Sequence, residues 1–531
     1  MDADVLVLGN GPVGQTSALL LARWGLRVIV VDAQPARDPV GSKSICQQRD
    51  ILDVWSACGV DSVAAEGVTW SQARTFYRDQ ELFCLELEDP GRSSLPPFVN
   101  ISQCRTEELL DDAIAAQSRI DVRWEHEVVT ITSSERGVEV GCRTPRGPVT
   151  LTAGYAVASG GARATTMRRA LDVTFDGRTF DDAFLICDIR ADLSGWENER
   201  RFYFDPPWNP GRQVLIHPCP DSVYRIDWQV DPGFDLDAAR EDGSLDRRIR
   251  QVIGDQDYDL VWSSVYSFHA RIADRFRVGR VLLAGDLAHL VAPFGARGLN
   301  SGVGDADNSA WKIAFVLRGW AHPSLLDSYE IERGAAAQEN LAVTSATMDF
   351  LVPHSTEARE RRHRILEAAV NDPAARALVN SGRLSEPFWY VDSPLTTPAA
   401  GREWPGRPDR GKAPAPVPGV IFPDGPASDP DDPSVTRVRQ MCRNGLLALA
   451  GSATDIDGCH KALAAALPAG TPARVMLLTD VDTDGVLRSA LRAADDEIWL
   501  VRPDAYIAAS VHTPEELAVA ARRTLAIPER S

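Results

Sequence analysis

The feature that most constrains the fold is a glycine-rich turn near the N-terminus. A short apolar run at residues 4–8 is followed by Gly9-Asn-Gly-Pro-Val-Gly14, and then by residues 15–24, whose apolar positions recur at helical spacing. Gly25 ends that helix, and the apolar run 26–32 completes a strand, turn, helix, strand unit of about 30 residues. Parallel strands joined by a crossover helix predict a doubly wound α/β domain.

The three glycines of this turn predict a nucleotide site. Gly9, Gly11 and Gly14 satisfy G-x-G-x-x-G between a strand and a helix, where bare backbone approaches a pyrophosphate at the helix N-terminus. Asp32 ends the next strand, the place from which an acid accepts ribose hydroxyls. Since a carboxylate repels a 2′-phosphate, the site favours FAD or NAD over NADP. The alternative is that the glycines only permit a tight turn.

A second glycine-rich segment follows the apolar run 280–286. Gly285-Asp286 closes a buried strand, from which Asp286 could accept ribityl hydroxyls, and Pro293 lies in a rigid turn nearby. The loop Gly295-Ala-Arg-Gly-Leu-Asn300 then offers backbone N–H groups at a helix start, which could stabilise the negative charge of a reduced flavin ring. The alternative is a helix capped by Asn300 or Ser301.

The pattern of residue types along the chain predicts four segments. Short alternating runs rich in aromatic residues predict an antiparallel substrate-binding sheet at 171–275, inserted into an FAD-binding domain of residues 1–170 and 276–392. Residues 393–434, dense in Pro, Gly, Asp and Ser, have linker composition. Residues 435–531 predict a small terminal α/β unit.

Composition excludes several functional classes. With 531 residues and 44% hydrophobic content the chain can bury two or three packed units. A net charge of −19 disfavours nucleic acid and anionic membranes as partners, and no apolar run approaches the roughly 20 residues of a membrane span. The nine cysteines include no CxxC and the nine histidines no ligand cluster, so we expect reduced thiols, no metal site and a cytoplasmic location.

Several motifs resemble those of a known family. The turn at residues 9–14, Gly285-Asp-Leu-Ala-His289, residues 293–300 and Asp305-Ala-Asp-Asn-Ser-Ala-Trp-Lys312 resemble the signature blocks of the class A flavoprotein aromatic hydroxylases, the para-hydroxybenzoate hydroxylase superfamily. Residues 42–49, 327–333 and 339–340 resemble the branch of 3-(3-hydroxyphenyl)propionate and polyketide hydroxylases. Residues 501–506 resemble the thioredoxin-like C-terminal domain of that branch, which here lacks CxxC and would serve packing or oligomerisation, a homodimer included.

The resemblance implies FAD as cofactor, with NADPH or NADH binding transiently as reductant. Arg49 would contact the FAD phosphates, Gln103 the ribityl-phosphate side and Asp286 the ribityl chain, while Pro293 and the loop 298–300 would flank the isoalloxazine. The implied FAD-binding residues are Gly9, Gly11, Gly14, Asp32, Lys43, Arg49, Gln103, Gly285, Asp286, Pro293, Gly298, Leu299 and Asn300.

Three positions depart from the family pattern. Gly160 stands where the family usually has an Asp that serves FAD and nicotinamide binding, so its loss bears on the efficiency of reduction. Lys43 replaces a common Arg, which keeps the charge without the bidentate fork. Gly304 replaces a frequent Gln beside the flavin-side helix.

The implied reaction is reduction of FAD, capture of O2 as a C4a-hydroperoxide and transfer of one oxygen atom to a phenolic ring. The substrate would be a small aromatic or a polycyclic phenol. The hydroperoxide must be shielded from water, so we expect the sheet to supply an aromatic lid. Candidates are Phe202, Tyr203, Phe204, Trp208, Tyr224, Trp228, Tyr266 and Phe268.

Phenol activation needs a base or a hydrogen-bond acceptor, and an anionic substrate needs a cation. Tyr203, Arg225, His217 and His269 are the polar candidates for this catalytic role. Two alternatives stay open at this point: Baeyer–Villiger or N-oxygenation of a polycyclic natural product, and a non-catalytic flavin-binding protein.

Overall fold

The computed structural model describes residues 1–38, 44–87, 91–409 and 412–528. Lys43, one of the expected FAD-binding residues, therefore lies outside the described residues. No helix in these ranges combines the length and the apolar composition that a bilayer crossing requires.

The described residues form strands and helices numbered here in chain order. The strands are β1 (Val5–Leu8), β2 (Val28–Val31), β3 (Cys46–Gln48), β4 (Val68–Thr69), β5 (Gln72–Tyr77), β6 (Gln80–Glu86), β7 (Phe98–Asn100), β8 (Ile120–Arg123), β9 (Glu127–Ser134), β10 (Gly137–Thr144), β11 (Gly147–Ala153), β12 (Tyr155–Ala158), β13 (Phe175–Ala191), β14 (Glu199–Phe204), β15 (Gln213–Cys219), β16 (Val223–Val230), β17 (Tyr258–Ala273), β18 (Arg277–Val278), β19 (Val281–Leu283), β20 (His289–Leu290), β21 (Leu446–Ala450), β22 (Ala473–Leu477), β23 (Ile498–Val501) and β24 (Ile507–Val511). The helices are α1 (Pro12–Arg23), α2 (Arg49–Ser56), α3 (Ser62–Glu66), α4 (Gln103–Ala115), α5 (Thr165–Ala170), α6 (Leu236–Glu241), α7 (Ser244–Ile253), α8 (Arg297–Leu317), α9 (Asp327–Leu351), α10 (Thr356–Ala369), α11 (Pro373–Ala377), α12 (Val438–Cys442), α13 (Ile456–Ala466), α14 (Leu478–Val481), α15 (Val486–Leu491) and α16 (Pro514–Thr524).

A six-stranded sheet forms the centre of the first domain. Its strand order is β18-β19-β12-β1-β2-β8, and β1 runs parallel to both β2 and β12. These three strands are buried throughout, which their Val-, Leu- and Ala-rich runs predict. Helix α1 packs tightly against the turn that precedes it. A Cβ on Gly14 would lie only 1.9 Å from the carbonyl oxygen of Gly9, so a larger side chain does not fit there. The glycine therefore serves close packing of helix against turn.

The second sheet has eight strands in the order β20-β17-β13-β16-β15-β14-β5-β6. Strands β13 to β17 come from the inserted region predicted at 171–275. The hairpin β5–β6 and the short strand β20 come from outside those bounds, and β5 pairs with β14 in parallel. The sheet is therefore mixed and not purely antiparallel, since the chain delivers β5 to an edge from a distant part of the sequence.

The C-terminal residues form a separate mixed sheet in the order β22-β21-β23-β24, with β21 parallel to β22 and antiparallel to β23. Helices α13 and α16 pack on it together. Residues 393–434, predicted as a linker, have no helix or strand among those described, yet Val420 and Phe422 are buried and Ile421 makes a bridge with Tyr506. Proline prevents regular structure in this segment without preventing its burial.

Candidate active site

A cavity of about 690 Å³ lies between the glycine-rich turns of the first domain and one face of the eight-stranded sheet. This volume is in the range typical of small-molecule and cofactor sites. Most of the site residues expected from the sequence line it together: Gly9, Gly11, Asp32, Gln103, Gly285, Asp286, Pro293, Gly298, Leu299, His217, Arg225 and His269.

The N-terminus of α1 forms one end of the cavity. Among the described residues, no side chain caps this helix at Gly11, and a Cβ built on Gly11 would have no atom within 4 Å. Beside it, the two carboxylate oxygens of Asp32 accept backbone N–H groups from Asn10, at 2.8 Å, and from Gln34, at 2.9 Å. Uncapped helical amides and an oriented carboxylate therefore meet at one opening, as the G-x-G-x-x-G motif predicts.

The turn that carries Asp286 is held by a buried carboxylate behind it. Asp305 accepts the N–H of Gly285 at 2.9 Å, faces Nε2 of His289 at 2.8 Å and accepts Nε of Arg333 at 2.6 Å. Burial raises the pKa of Asp305, but Arg333 and His289 outweigh it and hold the pKa below its ordinary value. Asp286 itself is exposed at the cavity wall.

The start of α8 forms the next part of the wall. Its N-cap is Ala296 in a left-handed conformation with φ 58°, and no side chain in the described ranges caps the helix. A Cβ built on Gly298 would have no atom of the described residues within 4 Å, so these residues leave the space in front of it open. Neither Asn300 nor Ser301 is the cap, which removes the alternative considered from the sequence.

Contrary to expectation, four of the expected site residues in the described ranges do not line the cavity. The buried Asn300 side chain accepts the N–H of Gln48 at 3.0 Å and donates to the carbonyl of Cys46 at 2.9 Å, so it joins β3 to α8. Gly14 packs inside the β1–α1 unit. Arg49 donates to the carbonyl of Leu95 at 2.8 Å and lines a separate cavity of about 210 Å³.

Tyr203 is the fourth expected site residue that does not line the cavity. Successive side chains on a strand point to opposite faces, and the flanking Phe202 and Phe204 belong to the hydrophobic cluster that includes the cavity residues Phe184 and Phe294. Tyr203 therefore faces the other side, where it stacks on Phe76 with ring centroids 4.6 Å apart.

Gly160, the position that departs from the family pattern, lines the cavity in tightly packed surroundings. A Cβ there would meet Sδ of Met167 at 2.7 Å and Cβ of Ala164 at 2.9 Å. The space that an aspartate would need is thus already filled by two side chains of the following segment.

Three phenylalanines form an aromatic wall on the sheet side of the cavity. Phe184 lies with its ring centroid 4.7 Å from Phe268 and 5.3 Å from Phe294, and Phe268 lies 6.0 Å from Phe294. Of the aromatic residues expected as a lid, Phe268 and Tyr266 line the cavity. Such a wall suits a planar aromatic ligand and excludes water.

The same sheet face carries a group of polar side chains, which we call the polar end: Arg200, His217, Arg225 and Asp227. Arg225 makes a two-point ion pair with Asp188, at 2.7 and 2.8 Å. Burial, with the charges of Arg200 and Arg225, lowers the pKa of His217 well below its usual value, so the imidazole is neutral near pH 7. Burial raises the pKa of Asp227 to about 7, against the opposing effect of Arg225.

Sequence reasoning missed Arg200 and Asp227. A signal for Asp227 was available, because Arg225 and Asp227 are two residues apart on β16 and so share a face. Arg200 lies at the second position of β14, where nothing local distinguishes a cavity arginine from a surface one.

These features fit FAD. The cavity offers two uncapped helix N-termini for phosphate or ring oxygens, open space before Gly11 and Gly298, and carboxylates at positions 32 and 286 for ribose and ribityl hydroxyls. The class that fold and site define is a flavin-dinucleotide-binding α/β protein. Residues 2–344, more than half of the chain, match the sequence family described as FAD binding domain, and the chain belongs to that family. The expected resemblance to FAD-dependent hydroxylases and the expected fold class are confirmed at this level.

Curated relatives are aromatic hydroxylases. The chain is 31% identical over 373 residues to the 3-(3-hydroxy-phenyl)propionate/3-hydroxycinnamic acid hydroxylase of Comamonas testosteroni, which covers 69% of this chain and 62% of that protein. It is 29% identical over 382 residues to the enzyme of the same name from Mycolicibacterium gilvum strain PYR-GCK, covering 71% and 65%. The alignments thus span less than two thirds of these relatives.

Solved structures share the fold over nearly the full chain. The flavin-dependent monooxygenase PieE, in complex with FAD and substrate, has a TM-score of 0.83 at 22% identity, covering 99% of this chain and 100% of that one. Aklavinone-11 hydroxylase, in a ternary complex with FAD and aklavinone, has a TM-score of 0.77 at 23% identity, covering 99% of both chains. The likeness therefore includes the eight-stranded sheet and the C-terminal unit.

Proposed function

We propose that the protein is an FAD-dependent monooxygenase that hydroxylates a phenolic aromatic substrate with NADPH or NADH and O2. In the overall reaction, the ring C–H becomes C–OH, NAD(P)H is oxidised to NAD(P)⁺, one proton is consumed, and the second oxygen atom leaves as water. The observation that carries the proposal is that one continuous cavity contains the residues expected to bind FAD, the aromatic wall and the polar end. We call the expected FAD-binding part of the cavity the cradle.

The residues of the cradle have separate tasks. The N-terminal amides of α1 would hold the pyrophosphate, Asp32 a ribose and Asp286 the ribityl chain, while Pro293, Gly298 and Leu299 would lie beside the ring system. When bound, FAD supplies acceptance of hydride from the nicotinamide and activation of O2.

The sheet would bind and shield the substrate. Phe184, Phe268 and Phe294 stack on or around an aromatic ring and keep water from the reacting atoms. The names of the relatives support a phenolic acid, and those of the neighbouring structures support a larger polycyclic substrate. Substrates of both sizes belong to the proposed substrate class, which is defined by a phenolic ring.

The test is NAD(P)H consumption by the FAD-loaded protein over a panel of single-ring and polycyclic phenols, with mass spectrometry of products formed under ¹⁸O2. We expect one phenol to stimulate consumption and to gain one labelled oxygen on its ring. Hydrogen peroxide is measured in parallel, since uncoupled oxidation also consumes NAD(P)H.

The other outcomes identify the alternatives. Labelled oxygen inserted between a carbonyl carbon and its neighbouring carbon would identify a Baeyer–Villiger oxygenation. Labelled oxygen bound to nitrogen would identify an N-oxygenation. Flavin that binds but is not reduced by either nicotinamide, with any phenol present, would indicate a non-catalytic flavin-binding protein. A cytoplasmic location and a homodimeric state stay predictions from the sequence.

A further inference from the structure

The polar end of the cavity contains a buried cation, Arg200, that forms no salt bridge within the described part of the chain. Arg200 is 3% exposed, and no carboxylate of the described residues forms an ion pair with it. Its one hydrogen bond among these residues, from Nη2 to the carbonyl of Ser381, is long at 3.5 Å. Because a buried charge is costly unless it is paired, this arginine is suited to an anionic atom supplied by a ligand.

Near it is a carboxylate with an unused acceptor. Asp227 lines the cavity, and its Oδ1 is buried without a hydrogen-bond partner among the described residues. The neighbouring Arg225 is already engaged by Asp188 at 2.7 and 2.8 Å. Nδ1 of His217, on the adjacent strand, is likewise buried and unpartnered in the described part of the chain.

We infer that Asp227 accepts the proton of the substrate's phenolic hydroxyl and that Arg200 stabilises the phenolate that forms. The inference rests on the proposed function and assigns it a base and a cation. The O–H bond breaks, its electron pair stays on the phenolate oxygen, and the proton is held on Oδ1 of Asp227. A phenolate is more electron-rich than a phenol, so the ring becomes a better acceptor of electrophilic oxygen.

The pairing of an acid with a cation favours a hydroxyl over a carboxylate as the group bound here. A substrate carboxylate would gain from Arg200 but would meet a like charge on Asp227. A phenol satisfies both residues, since it donates to one and, once ionised, is neutralised by the other. His217 can donate or accept one further hydrogen bond as a neutral imidazole.

Burial and the neighbouring charges bring the pKa of Asp227 close to neutral pH. Burial raises its pKa to about 7, Arg225 on its own strand and Arg200 on β14 lower it, and Asp188 on β13 raises it. The neutral His217 on β15 adds no charge. A general base is most effective when its pKa lies near the working pH.

The experiment compares the parent protein with Asp227→Asn, Arg200→Met and a matched control, Asp259→Asn, which changes an exposed aspartate on β17 of the same sheet. The first readout needs no turnover. Oxidised FAD-loaded protein is titrated with a phenol, and the ultraviolet absorption of the bound phenol reports its ionisation. We expect ionisation at a pH below the phenol's solution pKa in the parent, the control and Asp227→Asn, all of which keep Arg200, and its loss in Arg200→Met, which lacks the cation that stabilises the phenolate.

The second readout is kcat/KM for two phenols of differing acidity. For an ordinary phenol, Asp227→Asn should lose about 10²–10⁴-fold, the usual contribution of a general base. For a nitrophenol that is already ionised at the assay pH, this variant should recover most of the loss because no proton needs removal. Arg200→Met should remain impaired with both, since the phenolate still lacks its cation.

These results separate the inference from the proposed function. Equal losses of Asp227→Asn with both phenols would overturn the role of Asp227 while leaving a hydroxylase, and unchanged ionisation of bound phenol in Arg200→Met would overturn the role of Arg200. A parent protein that ionises phenols but hydroxylates none would overturn the proposed function alone. Thermal unfolding and FAD titration of each variant show that it is folded and loaded.

Discussion

The guanidinium of Arg502 in the C-terminal unit donates two hydrogen bonds, of 2.6 and 2.9 Å, to the carboxylate of Glu332 on α9. Both side chains are 1% exposed. Lys312 on α8 donates to the same carboxylate at 2.6 Å, and Asp504 balances the second positive charge. The C-terminal unit is thus joined to the FAD-binding domain by a buried, charge-balanced group of four side chains.

This group predicts a large effect of one uncharged substitution. Glu332→Gln should lower the free energy of unfolding by about 3–5 kcal/mol, because it leaves Arg502 and Lys312 buried with only Asp504 to offset them. The measurement is urea unfolding followed by tryptophan fluorescence. The matched control is Glu108→Gln, whose partner Arg105 lies at 2.9 Å on the surface and whose loss should cost less than about 1 kcal/mol. Equal losses in the free energy of unfolding for the two variants would contradict the role of Glu332 as the partner of the buried cations.

A second prediction concerns the missing family aspartate. Gly160→Asp should destabilise the fold by about 1–3 kcal/mol through overpacking, because its Cβ would lie 2.7 Å from Sδ of Met167. The double variant Gly160→Asp/Met167→Ala should recover part of this loss, since it removes the flexible neighbour and leaves Ala164. Thermal unfolding of both variants measures the difference. A single variant as stable as the parent would show that the site accommodates an aspartate.

A third prediction tests the cradle at the start of α8. Gly298→Ala should weaken FAD binding by about tenfold or more, which is about 1.4 kcal/mol, because its methyl group enters the open space of the cavity. The apo fold should be unharmed, since alanine favours a helix more than glycine does. Gly334→Ala, in α9, is the control and should leave FAD affinity unchanged. FAD fluorescence titration decides, and equal affinities for the parent and both variants would place the flavin elsewhere.

The sequence predicted those parts of the site that depend on local chain geometry. The β1–α1–β2 unit, Asp32 and the turn at Gly285-Asp286 follow from apolar periodicity and glycines that act within a few residues. These signals identify where backbone approaches a ligand. They are independent of how distant strands pair.

Side-chain direction was less predictable. Tyr203 and Asn300 were expected at the cavity, but strand alternation turns the first to the opposite face and hydrogen bonds to β3 hold the second in the interior. The hairpin β5–β6 joins the large sheet through a pairing between residues more than 100 positions apart. Such contacts are fixed by tertiary packing, for which the sequence carried no local signal.

The last prediction uses the pH dependence of stability to test whether Asp227 is kept for function at a cost to the fold. Burial raises the pKa of this carboxyl from 3.8 to about 7. The folded protein therefore binds more protons than the unfolded chain between these values, and the contribution of Asp227 to stability falls as pH rises through this range. Above pH 7 the full penalty is present, at most about 4 kcal/mol for such a shift.

Asp227→Asn removes the ionisable group and with it the penalty. We expect this variant, without phenol, to be more stable than the parent at pH 8, and to show little or none of that advantage at pH 4, where the parent carboxyl is protonated. Urea unfolding at the two pH values gives the difference, and Asp259→Asn, which removes an exposed carboxylate on β17, is the matched control. If Asp227→Asn is the less stable protein at pH 8, the ionised carboxylate stabilises the fold, and its place in the cavity is structural.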